Sequence, residues 1–294
     1  MIPDKMMAFR LKWNGQLNCE VSSFKRCLTY RSVVKSFNAL AIGLILSLFF
    51  CNSSEGQVKP SVGDVRGNLR LEVVTVPNDV SGSFERLNPQ VLLYHPVSVK
   101  PERKSDVEKN PLLIFLHGSG GSNGNIEKFK WKGDVKRFTA RGGEYPASHI
   151  LVPQSKGHWD PVSLNKMLDF VLKKNPSIDP NRVYCIGYSM GGKGTWEWAM
   201  ASPERFAAIV PKAFIPDMSG IAGMVELPLW AMVGTKDSRP RVDGIRAMEK
   251  RLKELGSKVV KTTYFEGANH GSAGGEIKKL EGVYDWVFSH KLPR

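Results

Sequence analysis

The chain has 294 residues and few cysteines: four in all, of which Cys19, Cys27 and Cys51 fall in the first 51 positions. Cys185 is left alone in the body, on an apolar run where a thiol behaves as a small core side chain. A disulfide framework is therefore excluded, and stability must come from a hydrophobic core. No C-x-x-C, H-E-x-x-H or other compact ligand cluster is present, so neither a metal nor any other cofactor is expected. Repeats, low-complexity tracts and heptad seams are also missing, which sets aside solenoids and coiled coils.

A continuous basic run is lacking too, although the formal net charge is +14. Residues 1–56 hold seven Lys and Arg against three Asp and Glu, leaving 35 against 25 in the rest. In the body these charges interleave, as in KPERKSDVEKN at 100–110. Nothing tracks a phosphate backbone, so nucleic acid is not an expected partner, while attraction to acidic surfaces or anionic polymers fits the balance.

Long hydrophobic runs are limited to ALAIGLILSLFFC at 39–51, preceded by Lys25, Arg26, Arg31 and Lys35. The run is short for a bilayer span and has the length of an export-signal core. Residues 1–56 are therefore read as an export signal, and 57–68 as a linker ahead of a catalytic domain at 69–294. The expected location is secreted or periplasmic. A retained anchor at 39–51, or a lipid on Cys51, is the competing expectation.

The body alternates short buried runs with helical stripes. LRLEVVTV (69–76) and QVLLYHPV (90–97) predict antiparallel strands. LLIFL (112–116) is continuous rather than alternating, as in a strand covered on both faces, and HILVP (149–153) is another short buried run. RVYCIG (182–187), FAAIVPKAF (206–214), LPLWAMVG (227–234) and VVKTTYF (259–265) are read as further strands. Leu164, Met167, Leu168, Val171 and Leu172 mark one helix, and TWEWAMA ends another. Ile245, Met248, Leu252 and Leu255 mark a third that Gly256 can cap, and Ile277, Leu280, Tyr284 and Val287 a C-terminal one. This alternation predicts a three-layer α/β fold with a mostly parallel sheet.

In such sheets, reactive groups collect beyond the carboxyl ends of the strands. Ser189, in CIGYSMGGKGTW, follows one strand and opens a helix, the context of a nucleophile elbow in which Gly187 and Gly191 remove colliding side chains. A serine hydroxyl needs a base and a group that orients the base. Among six histidines, His270 in FEGANHG lies past the last strand and is the expected base, in a loop between glycines. Asp237, in MVGTKD, is the expected acid, with Asp217 its competitor. The order Ser189, Asp237, His270 is that of α/β-hydrolases. The oxyanion donors are expected from the N–H of Met190 and from the loop at His117, Gly118, Ser119 and Gly120. His158 and Trp159 are read as overlooking the site, with a substrate ring or simple packing as the alternatives for the indole.

LHGSGG, the P-Q pair in LVPQS, the D-P-N-R-V-Y lead-in and GYSMGGKGTW together resemble the α/β-hydrolase superfamily. More narrowly, they resemble its secreted esterase and "predicted peptidase" branch, which includes feruloyl and acetyl-xylan esterases and polyhydroxybutyrate depolymerases and is related to dienelactone hydrolases and prolyl oligopeptidases. The resemblance covers 69–290 and implies a cofactor-free Ser-Asp-His triad that works through an acyl-enzyme, matched here by Ser189, Asp237 and His270. It differs in having Lys193 after the paired glycines, no long lid insertion and no paired cysteines. The open cleft this implies suits bulky or polymeric esters, such as an acylated polysaccharide. A serine peptidase of the prolyl-oligopeptidase type is the competing expectation, and a non-catalytic binding protein on the same scaffold is a third.

Overall fold

The computed structural model describes residues 64–97, 109–122, 124–139 and 145–293. The export signal or anchor expected in 1–56, Cys51 included, lies outside these residues. Nine strands form one sheet: β1 (Val65–Arg66), β2 (Leu69–Thr75), β3 (Gln90–Pro96), β4 (Asn110–Leu116), β5 (His149–Val152), β6 (Ile178–Tyr188), β7 (Ala208–Lys212), β8 (Leu229–Gly234) and β9 (Val260–Phe265). Their order is β1-β2-β3-β5-β4-β6-β7-β8-β9. β1, β2, β3 and β5 pair antiparallel in succession, and every pair from β5 to β9 is parallel. Val65 and Arg66 fall inside the stretch expected as linker, because they close a hairpin with Leu69 and Arg70.

The continuous apolar runs are explained by cover on both faces. On β6, Val183 and Cys185 join one buried cluster and Tyr184 and Ile186 the other. The first cluster is covered by α2 (Pro161–Lys174), α3 (Met190–Ala201) and α4 (Arg239–Glu254), the short α1 (Asn78–Ser81) preceding them in the chain. Asp160 caps α2 by accepting from the N–H groups of Val162 and Ser163, Pro161 fills its first position, and Leu164, Met167, Leu168 and Val171 are buried. α4 buries Val242, Ile245, Met248 and Leu252, and Gly256 follows it at φ +95°.

The second cluster is covered differently from expectation. The single C-terminal helix is two, α5 (His270–Lys279) and α6 (Val283–Phe288), broken where Gly282 takes φ +74°. Ile277, Tyr284 and Val287 still reach the core, from two axes rather than one. Beside them lie short 3₁₀ turns, Ile126–Phe129 and Gly133–Phe138, which bury Ile126, Val135 and Phe138, with Trp131 buried between them.

Candidate active site

The carboxyl end of β6 turns directly into α3, and Ser189 sits on the turn at φ 58°, ψ −116°. For a residue bearing a side chain this is a strained conformation, of order 1–3 kcal/mol. Two glycines make it sterically possible. A Cβ on Gly187 would lie 2.1 Å from the Gly191 carbonyl oxygen, and one on Gly191 would lie 2.0 Å from that of Leu116. The Ser189 N–H donates to the Lys212 carbonyl at 2.8 Å, tying the turn to the end of β7.

The loops after β8 and β9 are bound together, Lys236 N–H donating to Ala268 O at 2.9 Å. That brings Asp237 under His270. The histidine is not in a loop as expected: it is the first residue of α5, behind Asn269, which caps the helix by accepting from Gly271 and Ser272 N–H. The reason is a capping box, since the Ser272 hydroxyl accepts from the Asn269 N–H in return.

The His270 Nδ1–H donates to Asp237 Oδ2 at 2.7 Å, which fixes the tautomer and leaves Nε2 to accept the Ser189 hydroxyl at 3.0 Å. The Asp237 side chain is 1% exposed. Burial alone would raise its carboxyl, but hydrogen bonds from His270, from Ser238 N–H and from Arg241 outweigh it and hold the group below the ordinary carboxylate range. Arg241 Nη1 takes Oδ1 at 3.0 Å, so Oδ2 is left to the imidazole. Tyr188, one residue before Ser189, donates its hydroxyl to the His270 carbonyl. Burial, and then the Asp237 charge, push this phenol up and keep it a donor.

Beside Ser189 runs the loop after β4. A Cβ on Gly118 would lie 3.6 Å from that of Ser189. Ser119 opens a 3₁₀ turn and Met190 opens α3, so both are first-turn positions whose N–H groups have no partner within their own helix. His117 braces this loop. Its Nε2 accepts from Ser155 N–H at 3.0 Å, so the proton is on Nδ1, which donates to the Gly118 carbonyl at 2.7 Å. Burial lowers its basicity, partly offset by the Gly118 bond, in keeping with a neutral ring. Gln154, 1% exposed, donates its amide to Gly121 O and Gly124 O, both at 3.1 Å.

Ser189, Asp237 and His270 are thus brought together, with Gly118, Ser119 and Met190 beside them. Asp217 is not: it is exposed and bonded to the Ser219 N–H and hydroxyl. For Trp159, burial decides between the two alternatives in favour of packing. It is 2% exposed, packed on the His117 ring at 4.7 Å and on Gly194, with its N–H donating to the His117 carbonyl, so it supports the loop and offers no face to a substrate ring. His158 is exposed next to it. Lys193 finds its place in an ion pair with Glu197 at 3.4 Å on the outer face of α3. Cys185 is buried against Thr195, its thiol pushed up to about 12 by burial. Sequence reasoning missed Arg241, Tyr188 and the bracing role of His117. The P-Q pair was the one visible signal for Gln154, and it named no role.

Comparison with known proteins agrees with this architecture. Residues 152–230, which span the elbow, match the prolyl oligopeptidase family. A poly(3-hydroxyalkanoate) depolymerase C of Paucimonas lemoignei is 27% identical over 124 residues, 35% of this chain and 27% of that protein. The chain therefore spans about a quarter of the length of that relative. Among solved structures, a thermostable esterase superposes with TM-score 0.57 at 23% identity, over 76% of this chain and 63% of the other. A ferulic acid esterase does so with TM-score 0.54 at 14% identity, over 76% and 99%. The fold is that of the α/β-hydrolases, shared by esterases and peptidases, as the sequence motifs imply.

Proposed function

We propose that the protein is a serine hydrolase that cleaves carboxylic esters through an acyl-enzyme. The carrying observation is the unbroken relay from Ser189 Oγ through the His270 ring to Asp237 Oδ2, at 3.0 and 2.7 Å. In this reading His270 Nε2 takes the serine proton as Oγ attacks the ester carbonyl carbon, and Asp237 stabilises the imidazolium that forms. The N–H groups of Met190 and of Gly118 or Ser119 meet the negative charge on the carbonyl oxygen, each worth roughly 10²–10³ in rate. Collapse breaks the bond to the alcohol, which leaves with the proton from Nε2. Water then attacks the acyl carbon, giving its proton to the same nitrogen, and the acid is released as Ser189 recovers its hydrogen.

The depolymerase and ferulic acid esterase among the similar proteins support an ester, including one displayed on a polymer such as an acylated polysaccharide. A peptidase reading is supported by the family match across the elbow. Turnover of p-nitrophenyl acetate against a peptide anilide separates the two, esterase activity dominating if the proposal holds. Failure to turn over either substrate, together with no labelling by a fluorophosphonate, overturns the catalytic reading. We also propose export directed by residues 39–51, checked by sequencing the N-terminus of the protein recovered from cells and medium.

A further inference from the structure

The loop that carries Gly118 also borders a cavity of about 460 Å³, through His117 and Gly120. No step above uses this space. Its floor is apolar, built by Phe115, Phe129, Val135 and Val152. The Phe129 ring lies nearly parallel to the His117 imidazole, 5.1 Å away at 18°, which makes a flat and braced wall. A Cβ on Gly120 would meet nothing within 4 Å, so the loop faces open space there, two residues from Gly118, where an added Cβ would come 3.6 Å from that of Ser189.

The charge around this cavity is one-sided. Asp134 is in its wall, but its carboxylate faces the buried ammonium of Lys212 at 3.6 Å. Lys130 is paired with Glu127. Lys128 and Lys132 line the cavity and are exposed, and neither has an ion pair among the described residues. An apolar chamber of a volume ordinary for a small ligand is therefore bordered by two ammonium groups that have no ion pair among the described residues.

We propose that this cavity is the acyl subsite and that it selects an apolar acyl group ending in a carboxylate. This rests on Ser189 being the nucleophile. The body of such a group gains from burial against Phe115 and Phe129. Its far end meets Lys128 and Lys132 where water still reaches, so neither partner bears the dehydration of a fully buried ion.

The test compares p-nitrophenyl hydrogen adipate with p-nitrophenyl hexanoate, equal in chain length and different in charge. At low ionic strength kcat/KM is expected to favour the adipate by about tenfold, the size of two exposed ion pairs, and the ratio should fall toward one in concentrated salt. Lys128→Glu with Lys132→Glu should abolish or invert the preference. Lys136→Glu with Lys173→Glu, the same change in net charge at exposed positions outside the cavity, should leave it. A ratio of one in the unmodified protein, or an equal loss in both double variants, overturns the subsite and leaves Ser189 untouched. If neither ester turns over and no fluorophosphonate label is taken up, the functional reading falls. Calorimetric binding of 3-phenylpropanoate, retained in Lys136→Glu with Lys173→Glu and lost in Lys128→Glu with Lys132→Glu, then judges the cavity by itself, and absence of binding overturns it.

Discussion

The two ends of the sheet each bury an aspartate, and they use it differently. At the amino end of β6, Asp179 is 5% exposed and accepts from Asn181 N–H and Arg182 Nε at 3.0 Å, with Lys291 at 3.4 Å. Around it the C-terminal segment is fastened down, Leu292 N–H to Asn181 O and the Tyr184 hydroxyl to His290 O. At the carboxyl end, Asp237 holds an Arg as well, but its other oxygen goes to a histidine whose far nitrogen opens on Ser189. In both, burial raises the carboxyl and donors outweigh it, so both lie below the ordinary range. What distinguishes them is the donor. Arg and Lys keep their protons and make a clasp, whereas His can pass one on and makes a relay. Of the four non-glycine residues at positive φ among the described residues, Ser189 and Ala213 stand just past the carboxyl ends of neighbouring strands, while Arg86 and Trp131 lie elsewhere.

The comparison breaks first at the relay. Ser189→Ala should lower kcat by about 10⁴ or more, with loss of fluorophosphonate labelling and an unchanged far-ultraviolet spectrum. Asp237→Asn should lower kcat by roughly 10³–10⁴, because an amide can donate toward Nδ1 and so favour the wrong tautomer. Asp179→Asn, the same chemical change at the other end, should leave kcat within about twofold, since nothing there reaches the reacting atoms. If Asp217→Asn proved more damaging than Asp237→Asn, the acid would have to be reassigned.

His117 sharpens the boundary between relay and support. It touches neither Ser189 nor His270 and acts through the Gly118 carbonyl and Ser155 N–H. His117→Ala should cost about 10–100-fold in kcat with a smaller change in KM, as expected when an oxyanion donor is misplaced rather than removed. A change in KM alone would make the ring a wall of the cleft and nothing more.

At the clasp the expected effect is on stability. A carboxyl depressed in the folded state contributes stability above its unfolded value, near 3.9, and that contribution is lost as pH falls through the lower folded value. Unfolding by urea at pH 7 should show Asp179→Asn destabilised by about 1–3 kcal/mol. The difference between variant and parent should shrink as pH drops below about 4. A difference that grows with acidity would mean that the folded carboxyl is raised.

These two ends were unequally legible. The elbow could be read because its requirements are local: a buried run, glycines at fixed offsets and a helix start, all within CIGYSMGGKGTW. Five of the six parallel strands were legible for a similar reason, since cover on both faces leaves an uninterrupted apolar run; the sixth, β9, is only partly buried along its length. The stretch 126–138 was not, because its buried residues sit in short 3₁₀ turns that follow neither a period of 2 nor one of 3.6. Asp179 stood in the D-P-N-R-V-Y lead-in beside its partners Asn181 and Arg182, but its role as a clasp did not show, because Lys291 and the C-terminal segment it fastens lie more than a hundred residues away in sequence. The indole of Trp159 was placed at the right end of the sheet, but only the packing of His117 and Gly194 decides that it faces inward.

Lys193 marks the lower end of the scale. It stands four residues past Ser189, where a charge invites a catalytic explanation, yet its side chain is 54% exposed and its partner Glu197 lies one turn along the same helix. Pairs of this kind contribute about 0.3–0.5 kcal/mol. Its charge also lies near enough to Asp217 to favour that exposed carboxylate, behind its bonds to Ser219. Lys193→Ala should therefore leave the urea midpoint almost unmoved and kcat/KM for a neutral ester within about twofold. A tenfold loss with the fold intact would move Lys193 from the outer face of the helix into the cleft, and the division between relay and surface would have to be redrawn around it.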